Sequence, residues 1–198
     1  MSPRPSVLLF DVMSTLVYDP ITREIPEFFD MSLQELYDRK HPDAWQRFEC
    51  GALPEETFYD IYLPQRDEPI DASAFRRTLY EAYQWIDGMQ PLLETLCERD
   101  VPMHAFSNYP VWYRIIERKL KLSHVLEWSF VSCNTGLRKP HDQAYQHVVS
   151  TLQLPPEECL FVDDRADNCR AARQAGMQAV VFENAHSLCE ELQHLGVL

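Results

Sequence analysis

Five short, almost uninterrupted apolar runs punctuate the chain: "SVLLFDV" (6–12), "PMHAFSN" (102–108), "HVLEWSFVS" (124–132), "CLFVDD" (159–164) and "QAVVFE" (178–183). Strands that read as continuous hydrophobic runs belong to sheets covered on both faces, so these segments predict a parallel sheet wound with helices. Between them, "MQPLLETLCERD" (89–100), "VWYRIIERKLKL" (111–122), "DQAYQHVVSTLQL" (142–154) and "DNCRAARQAGM" (167–177) carry helical spacing, the last stopping at Gly176. From residue 89 onward the chain alternates β and α.

Residues 18–88 break that rhythm. Here "SLQELYDRKH", "PEETFYDIYL" and "ASAFRRTLYEAYQWI" predict helices, and no segment reads as a buried strand. The expected organisation is therefore an α/β core made of residues 1–17 and 89–198, with a helical cap, residues 18–88, inserted after the first strand. The cap is rich in aromatic side chains, among them Phe28, Phe29, Tyr37, Trp45, Phe48, Tyr62, Tyr83 and Trp85. Such residues either build the insert's own small core or, in a few cases, line a pocket for a flat ring.

Charge narrows the classes of partner. With 18 Lys and Arg against 31 Asp and Glu, the formal net charge is −13, so neither a nucleic acid nor a membrane surface is an expected partner. No run approaches the roughly 18 apolar residues that cross a bilayer. The cysteines, Cys50, Cys97, Cys133, Cys159, Cys169 and Cys189, are scattered without a CxxC pair. They are expected to be reduced thiols of a cytoplasmic protein, or of a plastid stroma if the chain is a processed form. With only five glycines there is no GxGxxG or P-loop to cradle a dinucleotide or a nucleoside triphosphate.

Asp11, Ser107, Lys139 and the pair Asp163–Asp164 fall at or just beyond the ends of predicted strands. In a parallel sheet those ends face one crevice, which brings residues far apart in sequence together. Taken singly, each has a plain structural role, and "DDRADN" reads equally as a loop whose Asp167 or Asn168 caps the next helix. Taken together they suit phosphoryl transfer, in which a carboxylate attacks a dianionic phosphate while a cation and a divalent metal cancel the repulsion. On that reading Asp11 is the nucleophile, Asp164 and Asp11 hold Mg²⁺ with Asp163 as a further ligand or behind it, and Ser107 and Lys139 grip phosphate oxygens. Asn108 orients the phosphate or the nucleophile, Arg138 is a solvent-exposed neighbour of Lys139, and Asn168 holds the loop.

In this order, "FDVMSTLV", "AFSN", "GLRKP" and "FVDDRADN" resemble the four motifs of the haloacid dehalogenase superfamily. The resemblance implies a Rossmann-like core, a helical cap after the first strand, and Mg²⁺-dependent phosphomonoesterase chemistry through an aspartyl phosphate. A narrower likeness, carried by "FDVMSTLV", "HAFSNYPVWY", "IIERKLKLS", "RKP" and "FENAHSL", is to plant and cyanobacterial-type flavin mononucleotide hydrolases. It implies a small phosphorylated metabolite as substrate, flavin mononucleotide first, and a ring-binding use for the aromatic cap; since that cap could equally form a dimer contact, a monomer or a homodimer is expected.

Met13 departs from the superfamily pattern. There the second Asp of Asp-x-Asp-Gly-Thr protonates the leaving group while its backbone carbonyl binds the metal, and Met13 keeps only the carbonyl. General acid catalysis is worth about 10² to 10⁴ in rate, so a slow phosphatase is expected unless Asp19, Tyr18 or a cap residue supplies the proton. Ser14, where the superfamily commonly has Gly and the narrower relatives an acid, is a poor donor. Two other readings stay open: a low-turnover phospho-ligand-binding or regulatory protein, and a metal-independent hydrolase of the dehalogenase type. The Asp163–Asp164 pair favours phosphate chemistry over the latter.

Overall fold

Val7–Phe10 (β1) is buried along its whole length, at the centre of a five-stranded sheet that the computed structural model describes together with the rest of residues 3–66 and 68–198. The other strands are Met103–Ser107 (β2), Glu127–Val131 (β3), Cys159–Asp163 (β4) and Gln178–Val181 (β5), in the order β3-β2-β1-β4-β5. Every pairing is parallel. The winding reverses at β1, which has β2 on one side and β4 on the other, so a crevice opens beyond the carboxyl ends of these three strands. Phe10 pairs with Ala105 and with Val162, which brings Asp11 level with Asp163 and sets Ser107 one residue further on.

Between β1 and β2 lie Glu24–Phe28 (α1), Leu33–Arg39 (α2), Ala44–Glu49 (α3), Glu55–Ile61 (α4), Ala72–Ala82 (α5) and Met89–Glu98 (α6). Tyr113–Leu120 (α7) follows β2, Ser132–Thr135 (α8) and Asp142–Leu152 (α9) follow β3, Ala166–Gln174 (α10) joins β4 to β5, and Ala185–His194 (α11) comes last. No helix among the described residues is long and apolar enough to cross a membrane.

The two-residue period of a strand divides β1 between two cores. Val7 and Leu9 pack with Phe161, Tyr145, Val148 and Ala172 on one face, whereas Leu8 and Phe10 join a cluster with Leu93, Leu96, Ile116 and Leu192 on the other. The second cluster runs without a break into the helices between β1 and β2, because Trp112, from the loop after β2, enters their aromatic core. Its ring meets Phe48 at 4.8 Å and Phe58 at 5.5 Å, and Phe48 and Phe58 stack at 4.4 Å. Most of the aromatic side chains expected in this segment are therefore packed in a core, but one shared with the sheet rather than the segment's own.

Three expectations change. The segment 124–132 contains a shorter strand, since Leu122–His124 form a 3₁₀ turn before it. The residue that caps α10 is Arg165, not Asp167 or Asn168; Asn168 lies inside the helix and turns its amide back onto Asp163. Arg138 is no exposed neighbour of Lys139: its side chain is 25% exposed and its Nε donates to buried Glu49 of α3 at 2.7 Å.

That pair belongs to a seam between α3 and the sheet. Trp45 Nε1 also donates to Glu49, at 2.8 Å, and Ser132 Oγ donates to the Glu49 carbonyl. Just beyond, Gly51 adopts φ +70° with its α-carbon against the Cys133 carbonyl. A side chain there meets both left-handed strain and a backbone oxygen that cannot rotate away. Gly51→Ala is expected to destabilise the protein by more than about 1 kcal/mol, seen as a lower denaturant midpoint at unchanged slope; an unaltered midpoint would mean that the seam yields.

Candidate active site

Lys139 is fully buried, and each of its three ammonium protons has an acceptor. Nζ lies 2.9 Å from Asp11 Oδ1, 2.7 Å from Asp163 Oδ2 and 2.6 Å from the Phe106 carbonyl oxygen. The rings of Phe106 and Phe161 flank it, with centroids 5.1 and 4.9 Å away. Asn108 fixes its backbone through a reciprocal pair, accepting from Lys139 N–H and donating to Lys139 C=O, both at 2.8 Å. One lysine thus ties together the carboxyl ends of β1, β2 and β4.

Asp163 has no capacity to spare. Its Oδ2 accepts from Lys139 and Asn168, and its Oδ1 from Asn168 and the Arg165 backbone N–H. Asp11 uses Oδ1 for Lys139, and its Oδ2 has no partner among the described residues. Asp164 is half-buried, and its backbone N–H donates to Thr15 Oγ1 at 3.2 Å. Carboxylate oxygens of Asp11, Asp163 and Asp164 all come within 4.8 Å of one another.

Three carboxylates face one ammonium, and the excess negative charge shows in the acidities. Burial, reinforced by Asp163 and Asp164 against the pull of Lys139, pushes the Asp11 carboxyl up to about 7. Burial and then Asp163 raise Asp164 as well. Burial alone would lower Lys139, but Asp11 and Asp163 more than reverse it and hold it charged. A divalent cation between Asp11 and Asp164 would cancel this excess with hard oxygen ligands, so the donor set suits Mg²⁺.

Ser107 Oγ, at the end of β2, is the one fully buried side-chain polar atom among the described residues without a hydrogen-bond partner. Native interiors rarely leave such a group alone unless a ligand completes it. Asp11, Met13, Asn108, Lys139 and Asp164 line one cavity of about 230 Å³. Tyr37 and Trp45 reach it from α2 and α3, so these two of the insert's aromatics do line a pocket.

The residues after Asp11 fold tightly. Leu16 and Val17 N–H both donate to Val12 C=O, and Ser14 N–H to Val17 C=O, with Ser14 held at φ 59°. Met13 is buried in the apolar cluster at the cavity wall. The loop carries two participants that sequence reasoning missed or left unplaced. Thr15, whose only signal is a hydroxyl four residues after Asp11 in an apolar stretch, anchors the Asp164 backbone. Asp19 lines the cavity and caps the 3₁₀ turn Pro20–Thr22 by accepting Ile21 N–H at 3.0 Å. Burial, with Asp164 adding to it against the hydrogen bond from Ile21, raises the Asp19 carboxyl to about 6.

The unpartnered Ser107 hydroxyl separates stability from binding. A buried hydroxyl without a partner costs about 1–3 kcal/mol, so Ser107→Ala is expected to leave the melting temperature unchanged or raise it. The same variant should bind inorganic phosphate more weakly, as read by calorimetry. A large fall in melting temperature would show that the hydroxyl has an internal partner after all.

Comparison with known proteins fits this geometry. A family model described as haloacid dehalogenase-like hydrolase matches residues 5–176. The chain is 44% identical over 192 residues, 96% of its length and 78% of the relative's, to flavin mononucleotide hydrolase 1 of Arabidopsis thaliana, described as chloroplast-located. It is 27% identical over 172 residues to a sesquiterpene phosphatase of Aspergillus oryzae, covering 83% of this chain and 85% of that one. A haloacid dehalogenase family enzyme from Bacteroides thetaiotaomicron, solved with magnesium and inorganic phosphate, superposes with a TM-score of 0.76 at 17% identity, over 91% of this chain and 95% of its own. The chain belongs to the haloacid dehalogenase-like hydrolase family.

Proposed function

We propose that the protein is a Mg²⁺-dependent phosphomonoesterase that works through phosphorylated Asp11, with flavin mononucleotide as its substrate. The observation that carries the reaction is the pairing of a buried, fully used Lys139 with a half-used Asp11 carboxylate, with an unpartnered serine hydroxyl at the end of the neighbouring strand β2. Lys139 orients Asp11 through Oδ1 and leaves Oδ2 free to attack phosphorus in line with the departing ester oxygen. Asn108 lines the cavity, and the unpartnered hydroxyl of Ser107, the buried residue before it at the end of β2, would join it in receiving the phosphate oxygens. Asp11, the Met13 carbonyl and Asp164 would hold the Mg²⁺, whose charge offsets that of the phosphate. Asp163, its lone pairs occupied, positions Lys139 and the start of α10 rather than touching the metal. Water then displaces Asp11 from phosphorus, releasing phosphate and restoring the carboxylate.

Two features support the flavin. The Arabidopsis relative bears that activity in its name. Tyr37, 49% exposed, stands at the cavity mouth, and Trp45, whose indole is fixed by its hydrogen bond to Glu49, lines the wall; such faces stack on a flat ring.

The test is phosphate and riboflavin release from flavin mononucleotide with Mg²⁺, with excess chelator, and in Asp11→Asn. Release that both chelator and the substitution abolish is the expected result. Protein that binds phosphate tightly without turnover would instead be the low-turnover binder that Met13 raises, and chelator-resistant turnover would point to the metal-independent hydrolase.

A further inference from the structure

Met13 leaves the reaction one proton short. An alkoxide expelled from an alkyl phosphate needs a donor, and a thioether has no proton to give. The titratable side chains that line the cavity are Asp11, Asp19, Tyr37, Tyr109, Lys139, Asp164 and Arg165. Lys139 has three acceptors already, and an arginine does not release its proton. The Tyr109 hydroxyl is 2.6 Å from that of buried Tyr83, and burial holds both phenols far above neutrality. Tyr37 stands at the exposed mouth. Tyr18, close to Asp19 in sequence, gives its hydroxyl to Glu24 at 3.0 Å and does not line the cavity. With Asp11 as nucleophile and Asp164 as metal ligand, one carboxyl is left over.

The backbone explains how that carboxyl arrives. Val17 bridges to Met13 on one side and to Trp85 on the other, which turns the chain back across the end of β1. Two residues later Asp19 enters the cavity. Its Oδ1 accepts Ile21 N–H, and Oδ2 has no partner among the described residues.

We propose that Asp19 is the general acid and base of this site, taking the part that Met13 vacates. The assignment rests on the phosphomonoesterase reading above. As the Asp11 carboxylate bonds to phosphorus and the P–O ester bond breaks, Asp19 gives its proton to the departing oxygen, producing the free alcohol and an Asp19 carboxylate. When water attacks the phosphorus of phosphorylated Asp11, Asp19 takes back one proton, and the products are inorganic phosphate and the starting carboxylate of Asp11. A carboxyl in the cavity that burial raises is suited to both halves, giving a proton in the first and accepting one in the second.

The experiment compares first turnovers of two phosphate esters in wild type and Asp19→Asn, a variant that keeps the acceptor for Ile21 N–H. Flavin mononucleotide expels an alkoxide that must be protonated, whereas p-nitrophenyl phosphate expels a stable phenolate that need not be. Asp19→Asn is expected to slow first-turnover riboflavin release about 10²-fold or more. Its p-nitrophenolate burst should stay close to the wild-type rate and then stall, because the phosphorylated Asp11 lacks its base. That retained burst also shows the variant to be folded. Equal loss on both esters, or loss on neither, would overturn the role of Asp19. A wild-type protein inactive on both esters would overturn the phosphatase reading itself.

Discussion

The structure turns on one buried ammonium. Lys139 has left water entirely, and the cost of that transfer is met only because two carboxylates and a carbonyl stand within 2.9 Å of its nitrogen. Those acceptors belong to three strands that meet at the reversal in the sheet. The pairing is conditional: remove the lysine and two carboxylates lose their counter-charge, with a penalty of roughly 3–5 kcal/mol for a broken buried pair. The same requirement fixes the chemistry, because a lysine shared by Asp11 and Asp163 cannot neutralise both, still less Asp164 beside them. The remaining charge is what a divalent cation is suited to cancel, so stability and metal affinity arise from one arrangement.

The seam between α3 and the sheet extends this arrangement outward. Arg138 is the residue before Lys139, and it holds Glu49, which in turn holds the indole of Trp45 at the cavity wall. A second connection runs from Trp112 Nε1 to Glu55 at 2.6 Å, and Arg76 of α5 pairs with the same carboxylate. The aromatic face offered to a substrate is therefore mechanically continuous with the residues that hold the nucleophile. Hydrophobic contact alone would not set that orientation, since apolar packing is non-directional whereas a charged hydrogen bond to a ring nitrogen fixes an edge.

How much of this could be read from the chain follows from the range of each interaction. The strands β1, β2 and β4 were legible because burial on both faces writes a local apolar run, and Asp11, Ser107 and Asp163 because each closes or follows such a run; Lys139, in the loop between α8 and α9, was legible only through its "GLRKP" motif. Arg138 was misread because its partner, Glu49, lies 89 residues away, and a buried ion pair leaves no local periodicity. The start of α10 was misplaced for a related reason: "DDRADN" offers several residues able to cap a helix, and Lys139 decides among them by drawing Asp163 into a network that then recruits Asn168. Trp112 looked like part of a helix over 111–122, whereas its ring joins the aromatic helices between β1 and β2 to the core they share with the sheet. By sequence alone Asp19 stood beside Tyr18 and the cap residues as a proton donor that spacing could not place; the fold-back through Val17 and Trp85 brings it to the cavity.

Met13 changes more than the supply of a proton. Where the superfamily usually carries a second Asp, the cluster around Lys139 would gain a fourth carboxylate; with methionine it stays at Asp11, Asp163 and Asp164, and the wall beside the nucleophile becomes apolar and packed. The burden of negative charge on the metal-free protein is smaller in consequence, because every additional like charge raises the cost of ionising its neighbours. Moving proton transfer to a carboxyl on the far side of a tight loop separates two tasks that a single Asp would otherwise combine, one through its backbone and one through its side chain. The metal then interacts with a donor set whose acidities are set by burial and by the neighbouring carboxylates against the pull of Lys139, while the acid is set by burial, opposed by its cap on the Pro20–Thr22 turn. Such a division makes the acid responsive to whatever sits beneath the aromatic mouth, because a bound ring that excludes water there would raise it further without disturbing the lysine beneath.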